Sequence, residues 1–240
     1  MNNIGPFELN KIHQGDCLEV MKKLPDGSID AIVTDPPWPD CSIDLGWQGP
    51  EWWKTIVNEM ERVICKKGKI IIHLGSEVNP APFLLPFTIP FIHICWLEFT
   101  PPRYRGNILN HGDVAYQLGY GFLPRGNGQK VLPEICKAPS KGRNAKDFRK
   151  TLDWFPCYRN PGHVSWLIRT QVGPGRTVLD PFSGSGTTGC ESIKNGCEFI
   201  GIESNKEYCE KSNERLEAAI LGISYYEHKQ GQGTLFNTKR

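Results

Sequence analysis

Short apolar runs recur along the chain and end in glycine, proline or an acid, and the stretches between several of them carry apolar residues at helical spacing. The two periods predict different elements. Lys11 to Gln14 read as a strand, Gly15-Asp16 as a turn, and Cys17 to about Leu24 as a helix with Asp16 as its N-cap. Ser28 to Thr34 form the next strand, and the aperiodic residues 39–50 form a loop suited to a lid. Trp52, Ile56, Met60 and Val63 share a helix face over residues 51–65, which Lys66-Lys67-Gly68 is expected to close before a strand from Lys69 to Leu74. The apolar run Phe91 to Phe99 and residues 113–118 suit an antiparallel pair at a sheet edge. Val164 to Val172 read as a helix, Thr177 to Leu179 and Phe199 to Ile202 as strands, and Lys206 to Leu221 as the last clear helix.

Strands alternating with helices across short loops predict an α/β fold with a mostly parallel, doubly wound sheet and helices on both faces. At 240 residues and 39% hydrophobic content, the chain is long enough for one domain with a small insertion. No apolar run is long enough to span a membrane, and the first residues lack the character of a signal peptide, so a cytoplasmic protein is expected. The nine cysteines are scattered without a C-x-x-C pair, and the six histidines lack metal-ligand spacing, so neither a disulfide framework nor a metal site is expected. A net charge of +2 names no partner by itself. Local clustering says more. From Arg125 to Lys150 basic residues far outnumber acids, as in a solvated loop or in a segment that contacts nucleic acid through Lys141, Arg143, Lys146, Arg149 and Lys150. Arg103 and Arg105 flank Tyr104 in a second basic group.

Two stretches carry chemistry. Thr34 is followed by Asp35-Pro36-Pro37-Trp38, a stiff turn just past a buried strand, where open α/β sheets bind ligands. It offers a carboxylate, the Pro36 carbonyl and a flat indole, which suits an exocyclic amine on a planar base. Stacking on the indole is worth about 1 to 3 kcal/mol. A strand ending in a proline turn with a core tryptophan is the bland alternative. The second stretch, Asp180-Pro-Phe182-Ser183-Gly184-Ser185-Gly186-Thr187-Thr-Gly189, lies between a strand and a helix, and Glu203 ends the next strand about 20 residues on, where an acid can hold ribose hydroxyls. That pattern predicts an adenosine-containing cofactor. The spacing alone leaves a nicotinamide open, whereas the amine-gripping turn favours a methyl donor.

With both stretches in hand, the chain resembles the S-adenosylmethionine-dependent amino-methyltransferases of DNA, in its Asp-Pro-Pro-Trp motif, its Asp-Pro-Phe-Ser-Gly-Ser-Gly motif and the Gly15-Asp16-Cys17 block. The first motif precedes the second by about 145 residues, which is similar to the β class, whose seven-stranded Rossmann-like sheet is circularly permuted. The resemblance implies that the strand before Asp16 lies beside the one ending at Glu203, and that a small insertion, residues 120–158, recognises the target. It implies that Asp35, Pro36, Pro37 and Trp38 hold and stack a flipped base. It also implies that Asp16, Cys17, Asp35, Asp180, Phe182, Ser183, Gly184, Ser185, Gly186, Thr187, Glu203 and Ser204 bind S-adenosyl-L-methionine. Where the family has Lys-Pro, this chain has Asn160-Pro161. The implied activity is methylation of the adenine 6-amino group in double-stranded DNA by a bacterial or phage-encoded enzyme, monomeric or homodimeric, of the restriction-modification type. Cytosine-N4 methylation, an RNA adenine substrate and an inactive DNA-binding subunit stay open. The stretch 228–240 reads as a flexible tail, and Gln232, Leu235 and Phe236 resemble a peptide that docks on sliding clamps.

Overall fold

Apolar residues occupy consecutive positions in the central strands because both faces of the sheet are covered, as parallel sheets require. Ile32, Ile70, Ile72, Leu179, Ile200 and Ile202 point to one buried cluster, while Val33, Ile71, Val178 and Phe199 point to the other. The computed structural model describes residues 3–39, 45–120, 134–139 and 152–231, with the backbone alone for residues 103, 105, 138 and 139.

In chain order the described elements begin with a two-stranded ribbon, β1 (Asn3–Ile4) and β2 (Phe7–Glu8), followed by β3 (Lys11–Gln14), α1 (Cys17–Met21) and β4 (Ile29–Thr34). Next come α2 (Pro50–Val63), β5 (Ile64–Gly75), α3 (Ala81–Leu84), β6 (Phe91–Arg105), β7 (Ile108–Gly119) and β8 (Ile135–Pro139). The rest is α4 (Pro161–Leu167), continued by a π turn (Ile168–Val172), then β9 (Thr177–Asp180), α5 (Thr187–Lys194), β10 (Glu198–Glu203), α6 (Lys206–Leu221) and α7 (Tyr225–Lys229). The main sheet runs β3-β10-β9-β4-β5-β7-β6-β8, and β7 alone opposes its neighbours. Helices α1, α2 and α3 pack on one face, and α4, α5 and α6 on the other.

The expected permutation is present: β3 pairs in parallel with β10, Gln14 opposite Glu203. Asn213 on α6 secures this seam by accepting from the Ile12 N–H at 2.9 Å and donating to the Ile12 carbonyl at 2.8 Å.

Four expectations change. Among the described residues the sheet has eight strands rather than seven; of the side chains described in β8 only Cys136 is buried, so the strand is hard to see in the sequence. Lys66-Lys67-Gly68 does not cap α2. The helix stops at Val63, Ile64 pairs with Ile29, and residues 65–68 bulge out before pairing resumes at Lys69 opposite Ala31. Gly68 serves that bulge, since a Cβ there would meet Ile64 Cγ1 at 2.4 Å. Trp53, not Trp52, is the tryptophan that α2 buries fully, and its indole donates to the Phe83 carbonyl at 3.0 Å. Finally, α7 takes in His228 and Lys229, where the tail was expected to begin, and docks on α6 through Tyr225, which donates to Glu214 at 3.1 Å.

Candidate active site

Strands β4 and β9 are direct parallel neighbours, Ala31 opposite Val178 and Ile32 opposite Leu179, so the two motif turns leave the sheet side by side at its carboxyl edge. Thr34 Oγ1 donates to Asp180 Oδ1 at 2.7 Å and ties one turn to the other. Asp180 also accepts from the Phe182 N–H at 3.1 Å and is almost fully buried. Burial raises its pKa to about 6 against the pull of its hydrogen bonds, and the charge of Asp35 adds to the rise. Asp180 is thus a brace between the turns, with its carboxylate directed inward.

Asp35 sits at the edge with its side chain partly exposed, and Pro36 and Pro37 are buried behind it. The six-membered ring of Trp38 abuts the end of β5, which only a glycine permits: a Cβ on Gly75 would fall 2.7 Å from Trp38 Cη2. The indole N–H of Trp38 is buried without a hydrogen-bond partner among the described residues.

No local pattern along the chain points to the side chain that meets this corner. Arg159, just before the N-cap Asn160 of α4, donates through Nε to Asp35 Oδ2 and through Nη2 to Asp35 Oδ1, both at 2.6 Å. Its Nη1 donates to Asp113 Oδ2 at 3.0 Å, and its Cζ lies 4.7 Å from the centre of the Trp38 ring. Burial opposes the charge on Arg159, but Asp35 and Asp113 outweigh it and hold the guanidinium protonated. Burial likewise works against ionised Asp113, yet His73 and Arg159 bring its pKa below the usual carboxylate range. Beside this cluster is a pocket of about 110 Å³ lined by Trp38, Gly75, Ser76, Glu77, Phe99, Asn110, Asp113 and Arg159. Arg159 and Asp35 are 124 residues apart, and no local pattern could have paired them.

The glycine-rich turn is built for close approach. Gly184 and Gly186 have φ of +48° and +74°, and a Cβ on Gly189 would fall 2.5 Å from Phe199 Cε1, so the third glycine lets α5 lie against β10. Glu203 accepts from the Gly184 N–H at 2.9 Å and the Asn205 N–H at 2.8 Å, and burial outweighs these bonds to raise its pKa. Asp16 caps α1 by accepting from the Leu18 and Glu19 N–H groups, and the Gly15 N–H reaches the Glu203 carbonyl at 3.0 Å. Asp16, Gly184 and Glu203 therefore converge. Phe182 packs on Trp52 and Trp53 and walls the turn on one side, while Phe155 covers Gly184 on the other.

Ser183, Ser185 and Thr187 turn their side chains inward: Ser183 donates to the Asp180 carbonyl, and Ser185 and Thr187 pair at 3.0 Å. Ser204 is exposed. Burial pushes the Cys17 thiol up to about 12, so it offers no thiolate near neutral pH. Arg103 and Arg105 lie on β6 opposite Asn110 and Ile108. Lys141, Arg143, Lys146, Arg149, Lys150, Gln232, Leu235 and Phe236 lie outside the described residues. Among the described residues no His, Cys, Asp and Glu group could hold a metal ion, and no helix is long and apolar enough to cross a membrane.

Comparison with known proteins fits this arrangement. A family model described as DNA methylase matches residues 129–214. The DNA adenine methyltransferase YhdJ of Escherichia coli (strain K12) is 27% identical over 258 residues, covering 88% of this chain and 84% of the relative. Among solved structures, the complex of M1.HpyAVI with SAM superposes with a TM-score of 0.62 at 24% identity, over 85% of this chain and 98% of that one. PvuII DNA methyltransferase, described as cytosine-N4-specific, superposes with a TM-score of 0.64 at 15% identity, over 95% and 97%.

Proposed function

We propose that the chain is a DNA methylase of the kind that modifies the exocyclic amines of bases, and that it methylates the 6-amino group of adenine in double-stranded DNA. The observation that carries this reading is the adjacency of the two turns, joined by the bond from Thr34 to Asp180. An acidic corner beside a glycine-rich turn sets a base amine next to a bound adenosyl group.

The residues around the turn fit S-adenosylmethionine. Glu203 stands where ribose hydroxyls would be held, Asp16 and the Cys17 backbone would meet the adenine, and the Gly184 backbone and the Phe182 ring would line the rest. When bound, this cofactor supplies a methyl carbon activated by the sulfonium. All else falls to the chain's own groups. A target base must leave the duplex, at a cost of a few kcal/mol, before its amine can reach the corner. Stacking on Trp38 offsets much of that cost. Asp35 and the Pro36 carbonyl accept the two amine N–H bonds, which favours a pyramidal nitrogen with its lone pair aimed at the methyl carbon. Orientation and fixed charge supply most of the rate. Asp35 is also the base within reach for the proton that the amine loses. The high pKa of Cys17 agrees with a mechanism that forms no covalent enzyme–base bond.

The choice of adenine rests on Asp35, since relatives with Asp at this position mostly modify adenine and those with Ser mostly cytosine, and on the adenine-specific relative at 27% identity. Arg103, Tyr104 and Arg105 are carried on a hairpin that runs past Gly75, the end of β5, on the same edge as Asp35. That position suits contact with the duplex around an extruded base; the basic residues from Lys141 to Lys150 are assigned to phosphate contact on their charge alone. A cytoplasmic location and a restriction-modification role accompany a DNA substrate of this kind.

Expression in a host without DNA methylation, followed by sequencing of modified bases, tests the reading. N6-methyladenine at a recurrent sequence is the expected result. N4-methylcytosine would reassign the base, and unmodified DNA would refute the activity.

A further inference from the structure

Resting on the reading of Asp35 and Trp38 as the groups that hold a base, we propose that Arg159 is a resident stand-in for the target base, which an incoming adenine displaces. The seat for the base is already taken. Both oxygens of Asp35 accept from one guanidinium at 2.6 Å, and the same group lies 4.7 Å from the centre of the Trp38 ring. A guanidinium is flat, rigid and edged with paired N–H donors. It therefore meets the carboxylate as an exocyclic amine would, and the indole as a base plane would.

The surroundings give the cation somewhere to go. Nη1 is already held by Asp113 at 3.0 Å, and Asp113 and Glu77 both line the pocket next to Trp38. On leaving Asp35, the guanidinium keeps one acidic partner and gains the vicinity of another, so displacement does not strand a buried charge. In the free protein, the stand-in balances Asp35, which stands near a second acid, Asp180. The consequence is selectivity. Only a base that presents an amine to Asp35 and a face to Trp38 replaces both interactions that Arg159 gives up.

The test is the steady-state kinetics of Arg159→Ala on duplex DNA carrying the mapped target site, with wild type in parallel. Removing the internal competitor should lower KM for DNA about tenfold, with kcat held or raised. Arg159→Lys, which keeps the charge but not the planar fork, should fall between the two. A reduced kcat at unchanged KM in Arg159→Ala, with cofactor binding intact, overturns the proposal and makes Arg159 part of the catalytic apparatus. If the alanine variant does not fold, Arg159→Gln is judged by the same split. Wild type that methylates no DNA removes the functional reading and this inference with it; active wild type with a slower variant removes this inference alone.

Discussion

At the scale of single residues, Asp35 and Asp180 are two acids at one sheet edge with different tasks. Asp35 faces outward and meets a cation, whereas Asp180 is buried and meets hydroxyl and N–H donors. Asp35→Ala should abolish methyl transfer and leave S-adenosylmethionine binding measurable by calorimetry. Retained turnover would remove Asp35 from the mechanism. For Asp180 the sign follows from its raised pKa. An acid whose pKa rises from its ordinary value to about 6 on folding binds its proton more tightly when folded, so it favours the fold at low pH and loses that advantage as pH rises from about 4 to 6. Across that window the stability of Asp180→Asn relative to wild type should climb by roughly 2 to 3 kcal/mol, at about 1.4 kcal/mol per pH unit. Urea unfolding of both proteins at several pH values measures this, and a flat difference would contradict the burial of an ionisable Asp180.

At the scale of elements, two glycines decide how the turns meet the sheet. Gly75→Ala would put a methyl group 2.7 Å from the Trp38 indole and push the ring off its seat. The expected outcome is a loss of kcat/KM for DNA of about tenfold or more at unchanged cofactor affinity, since overpacking of this kind costs about 1 to 3 kcal/mol. Gly184→Ala has the opposite profile: with φ at +48° and Phe155 Cζ 2.6 Å from the new Cβ, it should weaken cofactor binding first. These positions also show what a sequence can carry. Strands β4, β9 and β10 were legible as short apolar runs that end in a proline or an acid, β3 by the Gly15-Asp16 turn that follows it, and helix α6 by its bounds at Asn205 and Gly222. The end of α2 was not, because Lys66-Lys67-Gly68 has the composition of a helix stop while the backbone there is a bulge held against Ile64 and Asp30. The Asp-Pro-Pro-Trp corner could be read from four adjacent residues. Its partner Arg159 could not, because an ion pair across 124 residues leaves no local trace.

At the scale of the whole molecule, the permuted order makes the two ends of the sheet sequence interdependent. Strand β3, near the start of the chain, is held on β10 by the ladder from Lys11 to Gln14 and by the two bonds from Asn213 to Ile12. Asn213→Ala should cost about 1 to 3 kcal/mol in chemical denaturation, because it takes the partner from the partly buried Ile12 N–H and leaves the Ile12 carbonyl only the weak Cys209 thiol donor at 3.3 Å. It should also lower cofactor affinity, since Gly15 and Asp16 follow this strand to the site. The same order sets β4 beside β9, so one edge presents the acidic corner and the glycine turn together. Purified wild type and Asp35→Ala, each incubated with unmethylated duplex DNA and isotopically labelled S-adenosylmethionine, followed by nucleoside digestion and mass spectrometry, test that union most directly. The account predicts labelled N6-methyladenine from the wild type and none from the variant. Label on another base, no label at all, or equal label from both proteins would contradict it.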